Sequence, residues 1–364
     1  MCHDLQAPLR PRRVLTGFDG YLDSIKHVVA HRDAAGPAYF GSLTALGQRI
    51  EAAAGKSAQL ELVPVAYKLG GNAPIMAQTL GCLGIDTVLV GTLGAPDLHP
   101  LFGEMHPRVQ TYSLGAAAET LALEFGDGKL ILSDVQAFAD LGWARVAAQM
   151  GISRLDEILG QTDLIALVGL SNLPLATDLL DGLRRHLASG IARPAGQQFF
   201  FDLADPTRLA DKHLRALLGV IGQYRELGRT TLGLNENEAI HLAKVLRGQT
   251  PPAGRDALPG WTTALYQALG VDALLVHPVD CSLLIDSSGC TLLEGRLVPQ
   301  PRILTGGGDN LNAGFCLGLM QNWPTEACLL AGMATSGAYI SLGHSPDRAQ
   351  LTAYLRTWQA DLAS

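Results

Sequence analysis

The feature that most constrains this chain is a repeating alternation that sets in after residue 140. A short, almost wholly apolar run is followed each time by a longer segment with helical spacing. "DLIALVGL" (163–170) precedes "LATDLLDGLRRHLASG". "QQFFFDLAD" (197–205) precedes "RLADKHLRALLGVIGQY". "RTTLGLNENEAIHLAKVL" holds a strand and a helix in one stretch, and "DALLVHPV" (272–279) is a further short run. A strand with one wet face would alternate polar and apolar residues. These runs do not, so both faces must be buried, and that condition is met by a mostly parallel sheet with helices on each side. "RRVLTGF" (12–18) and "DTVLVGTLG" (86–94) read the same way and extend the sheet toward the N-terminus. The expected fold class is therefore α/β.

Composition agrees. Hydrophobic residues make up 48% of the 364 residues and charged residues 17%, enough for a large buried core. The formal net charge is -7, which argues against nucleic-acid binding. The one basic cluster, "PLRPRR" (8–13), reads as a solvated lead into the first strand, with residues 1–12 as an N-terminal tail. The start lacks the apolar centre of a signal peptide, and no apolar run reaches the roughly 18 residues of a spanning helix. The six cysteines include no C-x-x-C pair and most read as small core residues, so a cytoplasmic protein without a membrane partner is expected.

Two stretches change style. Residues 58–68 alternate polar and apolar, and so does 109–133, which breaks at "GDGK" (126–129) in the manner of a hairpin. Together they predict a small sheet outside the main core. Residues 19–57 read as polar and Gly- and Ala-rich with one helical piece, and His27 and His31 fit a solvated helix face.

The segment "LTGGGDNLNAGFCLGLM" (304–320) carries the strongest chemical signal. Leu311, Phe315 and Leu319 recur at i+4 spacing with apolar flanks, so a buried helix should start at Gly306–Asp309. The first N–H groups of a helix lack internal partners, and glycine lets a phosphate approach them closely. A carboxylate beside such a site would repel a bound phosphate. It has a purpose if the phosphate is transferred and Asp309 takes the proton of the attacking hydroxyl. A glycine turn with Asp309 as a helix cap is the competing reading.

Two further segments are weaker alone. "KLGGNAPIMAQTLGCLG" (68–84) leads paired glycines, Gly70 and Gly71, into a helix and presents Asn72, either to a ligand or as a cap. "GLNENEAIHLAKVL" (233–246) places Asn235 and Glu238 on one helix face, suited to capturing Mg²⁺ through water or to capping. Asp202 and Asn172, at strand ends, are open between ligand contact and loop capping, and His277 reads as a packed strand-end residue.

In their order, "GFDGYLD" (17–23), "GGN" (70–72), the N-x-x-E pair and "TGGGDNLNAGF" (305–315) make the chain resemble the ribokinase-like carbohydrate kinases, or PfkB family. The resemblance spans roughly residues 13–340. It implies a ribokinase-like domain over 13–364 with a small β lid from about 58–68 and 109–133. It also implies phosphoryl transfer from ATP, or less expectedly ADP, to a sugar hydroxyl. Asp309 would be the base, and Gly306, Gly307 and Gly308 the anion hole. Asn235, Thr305, Gly306 and Gly308 would bind nucleotide, while Asn235 and Glu238 would organise Mg²⁺ through water. Asp23 or its rival Asp19, with Gly70, Gly71 and Asn72, would bind the substrate. A nucleoside kinase, an ADP-dependent sugar kinase and a non-catalytic sugar-binding protein are the alternatives. The edges of a lid sheet leave room for a homodimer.

The chain departs from the family pattern in places. It has Gly-Gly-Gly-Asp where many members read G-A-G-D, and "APIMA" where many carry an asparagine. No lysine or arginine stands out as a phosphate clamp. A Walker loop is excluded because Ile50 stands where its first glycine would fall before "GKS", and "GFDGYLDS" does not supply the dinucleotide-binding G-x-G-x-x-G.

Overall fold

The computed structural model describes residues 8–303 and 305–363. Nine strands form the main sheet: β1 (Arg13–Phe18), β5 (Asp86–Gly91), β6 (Val109–Ser113), β9 (Leu164–Leu167), β10 (Gln198–Asp202), β11 (Arg229–Asn235), β12 (Ala273–His277), β13 (Cys281–Asp286) and β14 (Gly289–Glu294). Their order is β14-β13-β12-β11-β10-β9-β1-β5-β6, parallel from β12 through β6, with β13 and β14 antiparallel at the other edge.

The unbroken apolar runs follow from burial on both faces. Successive side chains of a strand point to opposite sides. Ile165, Leu167, Phe199 and Phe201 meet helices carrying Val146, Leu179, Leu214 and Leu265. Leu164, Ala166 and Phe200 face the other way, toward Met76, Leu311, Phe315 and Leu329. The helix Gly307–Gln321 is apolar almost all round because it lies between the sheet and the helix Thr325–Leu342. Gly314 and Gly318 allow that close packing. A Cβ on Gly314 would stand 2.4 Å from Thr335 Oγ1, and one on Gly318 2.8 Å from Cys328 Sγ.

A second sheet is built from β2 (Tyr21–Asp33), β3 (Gly36–Tyr39), β4 (Leu62–Gly70), β7 (Ala118–Phe125) and β8 (Gly128–Asp134). It differs from expectation in two ways. Residues 109–113 belong to the main sheet, where β6 pairs with β5 at the edge, so the second sheet begins at Ala118 on this side. Its long central strand, β2, lies in the stretch read as irregular, and His27 and His31 are on this strand rather than on a helix. β2 pairs parallel with β7 and antiparallel with β4 and β3. Its polar sequence hides it: one side faces a cavity, and its partners in β4 and β7 lie 34 to 97 residues away. The link from β1 to β2 is Asp19–Gly20, pressed so closely to the main sheet that a Cβ on Gly20 would stand 2.3 Å from the Thr92 carbonyl oxygen.

The N-terminal tail is tied down where described. Arg10 N–H donates to Gln321 Oε1 at 2.8 Å, and Arg12 pairs with Asp163 at 2.6 Å, so Arg12 is not merely solvated. Residues 1–7 lie outside the described residues. Among the described residues no helix is long and apolar enough to cross a membrane.

Candidate active site

Parallel sheets present their strand ends and following loops to one side, and here the second sheet stands over that side. Two cavities open there, on either side of the first turn of the helix Gly307–Gln321. The first is lined by Tyr21 and Asp23 of β2, Lys68 of β4, Asn72, Thr305 and Asp309, among others. The second is lined by Asn235, His277, Gly307 and Gly308, with Val279, Leu297 and Met333 as apolar walls. One helical turn therefore offers a carboxylate to one cavity and glycine backbone to the other.

Asp309 is 7% exposed. Burial, and then the charge of Asp202, push its carboxyl well above the usual carboxylate range. The Asn72 amide opposes this by donating Nδ2–H to Asp309 Oδ1 at 2.8 Å. A carboxylate in such surroundings is a better proton acceptor than one in water. Gly306 precedes the helix as its cap, with φ +93°. A Cβ there would stand 2.8 Å from the Tyr339 hydroxyl, whereas one on Gly308 would stop 3.6 Å from the His277 ring. Thr305, expected beside the nucleotide, lines the Asp309 cavity instead.

The two early aspartates have separate places. Asp19 is fully buried and accepts the Asn72 and Ala73 backbone N–H groups at 2.9 and 2.8 Å. It thus closes the N-terminus of the helix Asn72–Cys82, with burial raising its pKa to about 7. Its oxygens are turned to the backbone, away from the expected role in holding substrate. Asp23 lines the cavity and takes the Thr120 hydroxyl at 2.6 Å. The paired glycines also divide. A Cβ on Gly70 would sit 2.3 Å from the Asp23 carboxylate, so Gly70 makes room for that side chain rather than for a ligand. Gly71, with φ +100°, is the helix cap and reaches the cavity, while Asn72 is the first helical residue.

Asn235 and Glu238 form a reciprocal capping box. Glu238 N–H donates to Asn235 Oδ1 at 3.0 Å, and Asn235 N–H donates to Glu238 Oε2 at 2.9 Å. Asn235 Nδ2 also donates to Glu238 Oε1 at 2.6 Å. Burial, then the charge of Asp202, raises Glu238 to about 9. Asp202 is held by Asn312 Nδ2 at 3.0 Å and is itself raised by burial. No group of three or more acidic, His or Cys side chains among the described residues could grip a metal directly. With no cation nearby, a Glu238 pushed so far up is held neutral at pH 7, and a neighbouring cation would favour its charged form. That fits a hydrated dication held through water, and not a direct cage.

Arg208 is the cavity residue that sequence reasoning missed. It ends a short 3-10 turn, Pro206–Arg208, after β10 and donates from Nη1 to Asn172 Oδ1 at 2.8 Å, and both line the Asp309 cavity. Lys68 and Lys129 line it too, the latter paired with Glu124 at 2.6 Å. Their local sequences carry no marker, because each enters by the placement of a different strand or loop. A cation soon after a strand-end acid, as in "DLADPTR", is the one available hint.

The family model for prokaryotic ketohexokinase matches residues 1–358. A ketohexokinase from Haloferax volcanii is 27% identical over 345 residues, covering 94% of this chain and 90% of that protein. Among solved structures, Arabidopsis thaliana ribokinase complexed with ribose and ATP superposes with a TM-score of 0.66 at 16% identity, over 95% of this chain and 99% of that one. Phosphofructokinase-2 from Escherichia coli in complex with potassium gives 0.64 at 15% identity, over 95% and 100%. The fold is thus ribokinase-like, and the chain belongs to the prokaryotic ketohexokinase family, a group of carbohydrate kinases.

Proposed function

We propose that the protein transfers the terminal phosphoryl group of ATP to a hydroxyl of a ketohexose, with Asp309 as the base. One observation carries this reading: the first turn of the helix Gly307–Gln321 separates two cavities, with Asp309 in one and Gly307 and Gly308 in the other. The ketose occupies the first cavity, held by Asp23 and Asn72. The nucleotide occupies the second, its base against Val279, Leu297 and Met333 and its phosphates toward the helix N-terminus. The acceptor oxygen attacks the terminal phosphorus, its proton passes to Asp309, and the bond to the bridging nucleotide oxygen breaks. Charge on the transferring group is met by the N–H groups of Gly306, Gly307 and Gly308. Asn235 and Glu238 would hold Mg²⁺ through water, and the ion would offset charge on the nucleotide phosphates. The second sheet acts as a lid that excludes water. Ketohexose as acceptor and ATP as donor are supported by the family.

The test is nucleotide turnover with Mg·ATP or Mg·ADP against ketohexoses, aldohexoses and nucleosides. Phosphorylation of a ketohexose with ATP is expected. Asp309→Asn should lower kcat by about 10²-fold or more while ketose binding persists. Full activity in that variant would remove Asp309 from the role of base, and preference for ADP or a nucleoside would overturn the donor or acceptor.

A further inference from the structure

Three successive glycines are the least rigid backbone a chain can present, yet an anion hole works only if its donors are already aimed. The rigidity must come from outside the segment. Two side chains supply it. Tyr339, on the helix Thr325–Leu342, donates its hydroxyl to the Thr305 carbonyl at 2.8 Å. Asn310 donates Nδ2–H to the Gly306 carbonyl at 2.8 Å, beside its own backbone bond to the same oxygen at 3.1 Å. A trans peptide unit is planar, with its C=O and N–H pointing opposite ways. Holding the Thr305 carbonyl therefore aims the Gly306 N–H, and holding the Gly306 carbonyl aims the Gly307 N–H.

Both side chains are fixed in turn. Tyr339 is 6% exposed and fills the space where a Cβ on Gly306 would lie. Asn310 is fully buried, and its Oδ1 accepts the Thr79 hydroxyl at 2.8 Å. Thr79 belongs to the helix Asn72–Cys82, the same helix whose Asn72 holds Asp309. The base and the glycine turn are thus set against one shared frame.

We infer that Tyr339 and Asn310 are positioning residues for the phosphoryl-transfer step, acting through the Thr305 and Gly306 carbonyls without touching either substrate. The inference rests on the proposed reading of the glycine turn as an anion hole.

The test compares Tyr339→Phe, Asn310→Asp and Thr79→Val with the unaltered protein. For each, kcat, both KM values, melting temperature and affinity for the mimic Mg·ADP–aluminium fluoride with ketose are measured. Tyr339→Phe should lower kcat roughly tenfold or more with both KM values within about twofold. Mimic affinity should fall in the same proportion, while affinity for ADP alone holds. Thr79→Val, which leaves Asn310 in place but frees its amide, should show the same split more weakly. A folded Tyr339→Phe variant with unchanged kcat overturns the inference. So does a loss of activity that merely tracks melting temperature across the three variants, or a rise in KM with kcat intact. If Asp309→Asn is inactive while Tyr339→Phe is fully active, the kinase reading stands and this inference alone falls. If the unaltered protein phosphorylates no ketose, the kinase reading itself fails.

Discussion

The Asn72 side-chain amide donates to the Asp309 carboxylate at 2.8 Å across 237 positions of sequence. The bond joins the first residue of one helix to the first turn of another, and it pulls against the burial that raises the Asp309 pKa. Asn72→Ala should therefore act twice. It frees the carboxylate to rotate, lowering kcat about tenfold or more. It also removes a stabiliser of the charged form, so the acid limb of the pH–rate profile moves to higher pH. A limb that stays in place or moves down would show that Asn72 does not tune the base.

Asp19 and Asp23 should separate in kinetics. Asp19→Ala leaves two backbone N–H groups at the start of the helix Asn72–Cys82 without their acceptor, at a cost of about 1–3 kcal/mol each. A lower melting temperature is the main expected effect. Asp23→Ala removes a group on the cavity wall, so ketose KM should rise while thermal unfolding changes little. Calorimetry beside steady-state kinetics on the two variants decides the matter, and equal effects on KM would reject the division.

Gly306 and Gly308 should not respond alike to alanine. At Gly306 the backbone has φ +93° and a Cβ would crowd the Tyr339 hydroxyl. Left-handed backbone alone costs an L-residue about 1–2 kcal/mol, so Gly306→Ala should lower both stability and kcat. At Gly308 the nearest neighbour to a Cβ is 3.6 Å away, which is ordinary contact. Gly308→Ala should fold normally but weaken nucleotide binding by filling the second cavity. Circular dichroism melts and ATP titrations distinguish the two.

Glu238 predicts a pH dependence of stability in the ligand-free protein. Its folded pKa of about 9 lies above the 4.5 of an unperturbed side chain. A raised carboxyl favours folding when protonated, so its contribution is complete below about 4.5 and is lost as pH rises toward 9. Glu238→Gln should flatten the fall in melting temperature between pH 7 and 9. That window avoids His277, whose burial holds it down to about 4, so that it acts at lower pH with opposite sign. Mg²⁺ with nucleotide should also flatten the slope in the unaltered protein by favouring the charged form. An identical slope in Glu238→Gln would assign the effect elsewhere.

Much of this was legible in the amino-acid order because it depends on near neighbours. Runs such as "LIAL" and "QFFFD" can satisfy both faces only in a covered parallel sheet, and they became β9 and β10. The start of the helix Gly307–Gln321 was set by glycines and an acid within four positions. The N-x-x-E pair was readable as a capping box for the same reason, and its geometry is that of one. The alternation at 109–133 marked a hairpin, but the boundary with β6 inside it was not visible, since both are short and half-polar.

The tertiary structure decided what depends on meeting residues far apart. The long strand β2 exists because β4 and β7 offer it ladder partners, not because its own polar sequence favours a strand. "GFDGYLD" holds two aspartates that look equivalent in sequence. Asp19 falls at the turn between the sheets, where it meets the backbone of the helix Asn72–Cys82, and Asp23 falls two residues into β2, where alternation points it at the cavity. Arg208, Tyr339 and Asn310 gain their places from packing across 34 to 231 residues. Local order determined the elements and the chemistry available to them. Long-range packing decided which of those groups share one site, because a side chain's hydrogen-bond partners are chosen by distance in space.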